Sequence, residues 1–212
     1  MSAAVVPIAV DAAVTMFVRP AAAMTGPVVV LEHDAALDAP LGAAAEEMRR
    51  TAERAEVISA VRAMYRRFAV DPTKTRPSSE ALLRRVRRGD PLPRINSLVD
   101  IVNWCSLETQ LPFGLYDVAS IEGPITARLG REGETYPGIR KDEVHLAGRL
   151  TLADDRGPFG NPTSDSARTM VTPATTAALV VVFVPASLPR SLGEGAMHLT
   201  LQRIGQFCND AR

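Results

Sequence analysis

Residues 152–169 read L-A-D-D-R-G-P-F-G-N-P-T-S-D-S-A-R-T: two glycines, two prolines and, from Asn161 onward, seven hydrogen-bonding side chains. A generic helix or strand has no use for such a stretch. Turn chemistry this dense, with so many oriented polar groups, is what a small-molecule pocket assembled from loops requires. Its counterpart is residues 92–117, L-P-R-I-N-S-L-V-D-I-V-N-W-C-S-L-E-T-Q-L-P-F-G-L-Y-D, where apolar residues alternate with small polar ones at helical spacing.

The elements around these two segments follow from their periodicity. Residues 5–18 and 28–31 are Val-, Ile- and Ala-rich, on either side of a Gly26-Pro27 turn, and are expected as strands. Asp38-Ala39-Pro40 reads as a loop. From 41 to 68 the apolar positions Met48, Ala52, Ala55, Ile58, Val61, Met64, Tyr65 and Phe68 recur at three- and four-residue steps, predicting one helix. Asp71-Pro72 ends it. Ser78 or Ser79 is expected to cap a short helix over 81–88, which Gly89-Asp90-Pro91 stops. A third helix is expected over 95–108, ended by Leu111-Pro112-Phe113-Gly114. Beyond Asp117 the pattern is β, with strands over 125–129, 144–152 and 179–184, before an amphipathic helix over 196–209. The fold class is α+β with layered sheets flanked by helices, in a single domain spanning 1–212: N-terminal strands and helix (1–77), a core (78–185) and a C-terminal helix (186–212).

A chain of 212 residues that is 46% hydrophobic buries a substantial core. Net charge is zero, so no global field recruits nucleic acid. Between Arg49 and Arg94, however, twelve arginines and one lysine face five acidic residues, a local excess of eight positive charges. That excess suits either solvated helix faces or a phosphate-binding surface. Cys105 and Cys208 have no metal-ligand spacing and read as thiols of a reducing compartment. The longest apolar run, residues 177–186, is too short to span a bilayer, so a soluble, cytoplasmic protein with no membrane partner is expected.

Catalytic signatures are sparse. His33, His145 and His198 are scattered, and no metal site or cofactor is expected. Gly157-Pro158-Phe159-Gly160 matches neither nucleotide-binding fingerprint, there is no nucleophile elbow, and Asp154-Asp155 reads as a hydrophilic turn. Asn96, Asp100 and Asn103, four and three apart, share one edge of the third helix. They either cap neighbouring loops or form a rim of donors and acceptors for a polar ligand. Asn161, Thr163, Ser164, Asp165, Ser166 and Arg168 either cage an ammonium or carboxylate, or staple their loop through an Asp165–Arg168 pair.

These same residues carry a resemblance. I-N-S-L-V-D-I-V-N-W-C-S-L-E-T-Q-L-P-F-G-L-Y-D resembles the V-D-x-x-N-Y…L-G-Q-P-x-H-x-F-D stretch of the B3/B4 domain of the phenylalanyl-tRNA synthetase beta subunit. The likeness continues through residues 121–129, Gly133-Glu134, 152–154 and 172–176, and covers about 78–185. The upstream block over 62–85, D-P-T-K-T-R-P-S-S-E-A-L-L-R-R included, resembles freestanding members of that family. The resemblance implies editing of a mischarged aminoacyl ester, with Asn103 lining the pocket and Gly157 and Gly160 in a glycine-rich loop that lets the aminoacyl group approach backbone. Two departures bear on the substrate. The family's histidine is replaced by Gly114, and its glutamate, which recognises the tyrosine hydroxyl, would fall in residues 179–184, where no acid stands. A phenol left without a partner loses about 1–3 kcal/mol, so a different aminoacyl group is expected.

The expected function is a stand-alone aminoacyl-tRNA deacylase serving translation fidelity. Asn103 and backbone near Gly114 act on the ester; Asn96, Asp100, Gly157, Gly160 and the 161–168 polar set hold the substrate; Arg84, Arg85, Arg87 and Arg88 hold tRNA phosphates near the aminoacylated 3′ end. A non-catalytic module of the same fold that binds tRNA or an amino acid fits the same residues, as does a pocket for a free amino-acid-like metabolite. Steep salt dependence would separate a tRNA reader from a metabolite pocket.

Overall fold

A computed structural model describes residues 2–139 and 142–209. The run A-L-V-V-V-F-V-P forms strand β10 (Ala178–Pro185), buried along its whole length, which is why it reads as continuous apolar sequence rather than alternation. It sits inside an antiparallel sheet of order β1-β3-β10-β4, with β1 at Ser2–Val5, β3 at Val18–Gly26 and β4 at Phe113–Asp117. A second sheet has the order β2-β5-β8-β9: β2 (Ala9–Val10), β5 (Thr126–Leu129), β8 (Leu150–Asp154) and β9 (Gly157–Gly160). A small hairpin joins β6 (Thr135–Pro137) to β7 (Glu143–His145). Helices α2 (Asp38–Arg50), α3 (Ala55–Arg67), α4 (Ser78–Arg87), α5 (Ser97–Thr109) and α6 (Arg190–Phe207) pack on one another and on the first sheet. One contiguous apolar core runs from Val14 to Cys208 and joins both large sheets to the helices, so the α+β chain is a single folding unit.

Several sequence expectations are corrected. Residues 5–18 are not one strand: β1, β2 and the short helix α1 (Ala12–Thr15) share them, and Asp11 caps α1 through the N–H of Ala13 at 2.8 Å. The true strand is β3, whose alanines and Pro20 hide it from propensity. The Phe183 N–H opposite Pro20 donates instead to Pro112 O on the other side, so this pair exchanges no bonds and proline costs the ladder nothing. Residues 28–31 are extended but unladdered. Their N–H groups tie to Thr176 O, Cys208 O and Ser97 Oγ, three separate segments.

Asp38-Ala39-Pro40 is the first turn of α2, a position that tolerates proline. The helix expected over 41–68 is two helices. Between them the Thr51 carbonyl accepts from Arg87 and the Arg54 N–H donates to Gln110 Oε1 at 3.0 Å, so tertiary partners interrupt the helical ladder. Helix α4 opens at Ser78 with Pro77 at the cap and no side-chain capping bond. The strand expected over 144–152 splits at Gly148, whose φ of +71° turns the chain between β7 and β8. Helix α6 starts six residues earlier than its periodicity indicates. Both cysteines are buried and form no disulfide.

Candidate functional site

The third helix separates the polar edge of 96, 100 and 103 into three environments. Asn96 is the N-cap of α5, accepting from Val99 N at 2.9 Å. Asp100 is 1% exposed and accepts from Arg94 Nε at 2.6 Å and from Ile95 N at 2.8 Å. Arg94 is further held by Asp38 and by Asp34 O. Both residues therefore fix the entry to α5 and neither lines a cavity with Asn103. The Asn103 side chain is half-buried, has no hydrogen-bond partner among the described residues, and faces a groove.

That groove has two lobes. An apolar lobe of about 280 Å³ is walled by Val99, Val102 and Asn103 from α5, Phe113 and Leu115 from β4, and Met170. The wall follows from helical spacing on α5 and two-residue alternation on β4. A polar lobe of about 200 Å³ is lined by Ser78, the first residue of α4, and by Asn161, Thr163 and Ser164. Phe113, Ile139 and Asp165 line both lobes, so the two meet there.

The loop after β9 supplies the polar lobe and is staked from three sides. Asn161, 3% exposed, accepts from Thr163 N (2.8 Å), Thr163 Oγ1 (2.6 Å) and Ser164 N (2.9 Å), while its amide donates to Tyr136 Oη at 2.8 Å. The Tyr65 hydroxyl donates to Pro162 O at 2.6 Å and the Tyr136 hydroxyl to Ser164 O. Tyr116, fully buried, completes the set, so all three tyrosines of the chain surround this loop. Burial first, and the Asp165 carboxylate second, push all three phenols well above their ordinary range, keeping them protonated.

Other expected site residues have structural employment. Arg168 pairs not with Asp165 but with Asp154, at 3.0 and 2.9 Å, and also donates to Ser120 O at 2.6 Å. Asp154 is thus no solvated turn; its side chain is fully buried and also receives Glu122 N and Arg156 N. Burial alone would raise its carboxyl, but these hydrogen bonds and the Arg168 charge hold it below the usual range. Ser166 accepts from Arg168 N at 3.2 Å. Gly157 and Gly160 belong to strand β9 rather than a loop: Gly157 takes a φ of +112° after the β8–β9 turn, and Gly160 packs against the Tyr116 ring. Gly114 lies on the face of β4 opposite Phe113 and Leu115, beneath Tyr116, and does not line the groove.

The arginines expected at phosphates sit along α4. Arg84 and Arg87 with Arg88 border a cleft of about 340 Å³ between α3 and α4. Arg85 donates to Pro91 O, Arg87 pairs with Glu53, and Arg88 reaches Asp90 at 3.4 Å. The three histidines are exposed and none lines the groove. Among the described residues no three His, Cys, Asp or Glu side chains converge as metal ligands would, and no helix is long and apolar enough to cross a membrane.

Sequence reasoning missed Phe113, Leu115, Ile139, Met170 and the tyrosines. The alternation of Phe113 and Leu115 was the available signal, obscured because that strand was read as a helix end.

Fold and site thus define an α+β domain with a two-lobed groove between a helix, a strand and a staked loop. Residues 60–191 match the B3/4 domain model, and the chain belongs to that family. It is similar to the phenylalanine–tRNA ligase beta subunits of Brucella abortus (34% identical over 90 residues, 42% of this chain and 11% of that protein) and Pseudomonas savastanoi (37% over 81 residues, 38% and 10%). The chain therefore spans about a tenth of the length of these relatives. A crystal structure of an N-terminal fragment of the phenylalanyl-tRNA synthetase beta subunit from Pyrococcus horikoshii is also similar, at 14% identity and a TM-score of 0.49, over 95% of this chain and 49% of the fragment.

Proposed function

We propose that this chain hydrolyses a mischarged aminoacyl ester at the 3′ end of a tRNA, acting in trans. The observation that carries the reading is the Asn103 amide: half-buried on the groove wall, without a hydrogen-bond partner among the described residues, in a groove whose other lobe is lined by hydroxyl and amide groups with Asp165 at the junction. Family membership and the tRNA-ligase relatives support the tRNA as substrate carrier.

The chemistry asks little of the protein. An aminoacyl ester is already activated, so a site that positions water and offers donors to the developing oxyanion lowers the barrier without a nucleophile of its own. The Asn103 amide is the donor for the ester oxygen. The ribose hydroxyl next to the ester belongs to the substrate itself and can relay the water's proton. Ser78, Thr163 and Ser164 accommodate the terminal nucleoside, and the α4 arginines, Arg84 foremost, meet phosphates.

The test is deacylation of a panel of aminoacyl-tRNAs, with amino acid and tRNA varied independently, by wild type and Asn103→Ala. Selective release that the variant loses supports the hydrolase. Release no faster than the spontaneous rate across the panel, with tRNA or aminoacyl analogues still bound, replaces it with a non-catalytic binding module. That second reading draws on the groove's lack of a nucleophile paired with a base among its described lining residues.

A further inference from the structure

Helix α4 borders two cavities at once. Its first residue, Ser78, lines the polar lobe of the groove, and its later turns border the cleft of about 340 Å³ shared with α3. That cleft gathers four arginines, Arg62, Arg84, Arg87 and Arg88, against two glutamates, Glu53 and Glu80. Both carboxylates are already engaged. Glu80 accepts from Arg62 at 2.8 and 2.5 Å, and Glu53 pairs with Arg87. The Arg84 side chain has no partner among the described residues. Arg88 reaches Asp90 only at 3.4 Å from an exposed position, a contact that holds it weakly. Arg76, two residues before Ser78, comes second to Arg62 on Glu80, at 3.4 Å. Positive charge thus runs from the approach to α4 to its C-terminal end, while no cation stands among the described residues lining either lobe.

We infer that a single RNA strand lies along α4, its acylated 3′ end at Ser78 and its 5′ side toward Arg88, and that this strand is all of the tRNA the chain reads. This rests on the aminoacyl-ester reading above and adds which part of the tRNA is recognised. A lobe without cations suits a nucleoside, so the phosphates that precede it lie outside, where the weakly held arginines belong to the helix that begins in that lobe. Direction follows from the ester. It sits on the terminal ribose, with Asn103 in the apolar lobe beyond the junction, so the strand leaves the groove in its 5′ direction. Length follows from the helix. At about 1.5 Å per residue, Arg84 lies about 9 Å and Arg88 about 15 Å along the axis from Ser78. A stacked strand advances about 3.4 Å per nucleotide, so this span takes about four nucleotides, and fewer if the strand is stretched. That is the unpaired 3′ end common to tRNAs and stops short of the stem. The chain's net charge is zero, so no broad basic field remains to hold the tRNA body. Discrimination then resides in the aminoacyl group, and tRNAs of different sequence are accepted alike.

The experiment measures binding by calorimetry with probes ending in 3′-leucylamido-3′-deoxyadenosine, whose amide resists hydrolysis and whose side chain suits the apolar lobe. They are two whole tRNAs of unrelated sequence, the tetranucleotide ACCA, and the nucleoside alone. Both tRNAs and the tetranucleotide should bind within about fivefold of one another, and the tetranucleotide at least about tenfold more tightly than the nucleoside. Replacing single phosphates of the tetranucleotide by uncharged methylphosphonates orders the contacts. Arg84→Ala should be indifferent to neutralising the phosphate nearer the 3′ end, and Arg88→Ala to neutralising the one nearer the 5′ end. A larger advantage of whole tRNA over the tetranucleotide, a larger difference between the two tRNAs, a tetranucleotide no tighter than the nucleoside, the reverse assignment of phosphates, or no binding of any probe overturns the inference. The comparison of probe lengths uses wild type alone and stands even if a variant fails to fold. Probes that bind as described beside an ester that is never hydrolysed would sink the hydrolase reading and leave this one intact; hydrolysis that demands the tRNA body would do the reverse.

Discussion

A Cβ added to Gly114 would lie 2.2 Å from the Tyr116 hydroxyl, two residues along the same strand. The ring has nowhere to retreat. A Cβ on Gly160 would meet it at 2.4 Å from the other side, and Phe159 packs edge-on with ring centroids 5.0 Å apart. Glycine at 114 is thus the partner of tyrosine at 116, and a histidine there, as in the resembling family pattern, would compete with the phenol for one space. Gly114→Ala should lower stability by about 1–3 kcal/mol, the cost of overpacking a closed core. In a Tyr116→Ala background the same change should cost much less, because the obstructing ring is gone. Urea unfolding of the four proteins of this cycle measures the coupling; additive effects would mean the ring is not the obstruction.

The polar edge of α5 predicts three different phenotypes from three similar-looking residues. Asn96→Ala removes an N-cap and should cost about 1 kcal/mol. Asp100→Ala leaves the Arg94 guanidinium short of its buried partner and should cost about 3 kcal/mol or more. Asn103→Ala breaks no side-chain hydrogen bond among the described residues, so stability should stay within about 0.5 kcal/mol of wild type. Deacylation, if Asn103 donates to the oxyanion, should fall about a hundredfold in that variant alone. Thermal melts and deacylation rates on the same preparations separate the three. An Asn103→Ala protein as unstable as Asp100→Ala would return Asn103 to a structural role.

How much of this was legible beforehand depends on what kind of contact decides each element. Strand β10 could be read from its continuous apolar run and helices α4 and α5 from periodicity, because their own side chains meet the core. Strand β3 could not: alanines and Pro20 form a strand only because β10 supplies the ladder on one side. The break between α2 and α3 depends on Gln110, a residue far along the chain. At the site, the polar loop after β9 was conspicuous in sequence. Its partners were not, since Tyr65, Tyr116 and Tyr136 come from three other elements. The Asp165–Arg168 staple failed for the same reason, with Asp154 closer in space than in any local pattern.

Acid should unfold the protein through its buried and half-buried carboxylates. Hydrogen bonds from Arg62 hold Glu80 below its ordinary value, and those from Arg128 do the same for Glu134. Asp154 is also depressed, its burial outweighed by Arg168 and two backbone N–H groups. A carboxyl with a depressed folded-state pKa binds fewer protons folded than unfolded. Its contribution is complete above the unfolded value of about 4 and is lost as pH falls below it toward the folded value. Urea midpoints measured from neutral pH to pH 3 should therefore be flat at first and drop steeply below about pH 4. Asp154→Asn should be less stable at neutral pH yet show a shallower acid slope. An unchanged slope in that variant would remove Asp154 from the set of groups that titrate.

The arginines of α4 make a separate prediction about tRNA. Each phosphate contact that releases a counterion adds about one unit to the salt slope of binding, so a residue's share can be counted. Arg85 and Arg87 already bond to Pro91 O and Thr51 O, Arg87 also pairs with Glu53, and Arg88 reaches Asp90. Arg84 is exposed, borders the α3–α4 cleft, and has no ion-pair or hydrogen-bond partner among the described residues. Moving its guanidinium onto a phosphate breaks nothing, whereas Arg87 must first give up intramolecular bonds. Arg84→Ala should leave the melting temperature unchanged and lower the salt slope of tRNA binding by about one unit, weakening every tRNA alike. Arg87→Ala should instead lower stability and change the slope less. If the Arg84→Ala slope equals that of wild type, α4 is not the phosphate surface, and the positive excess between Arg49 and Arg94 serves the solvation and pairing of helices instead.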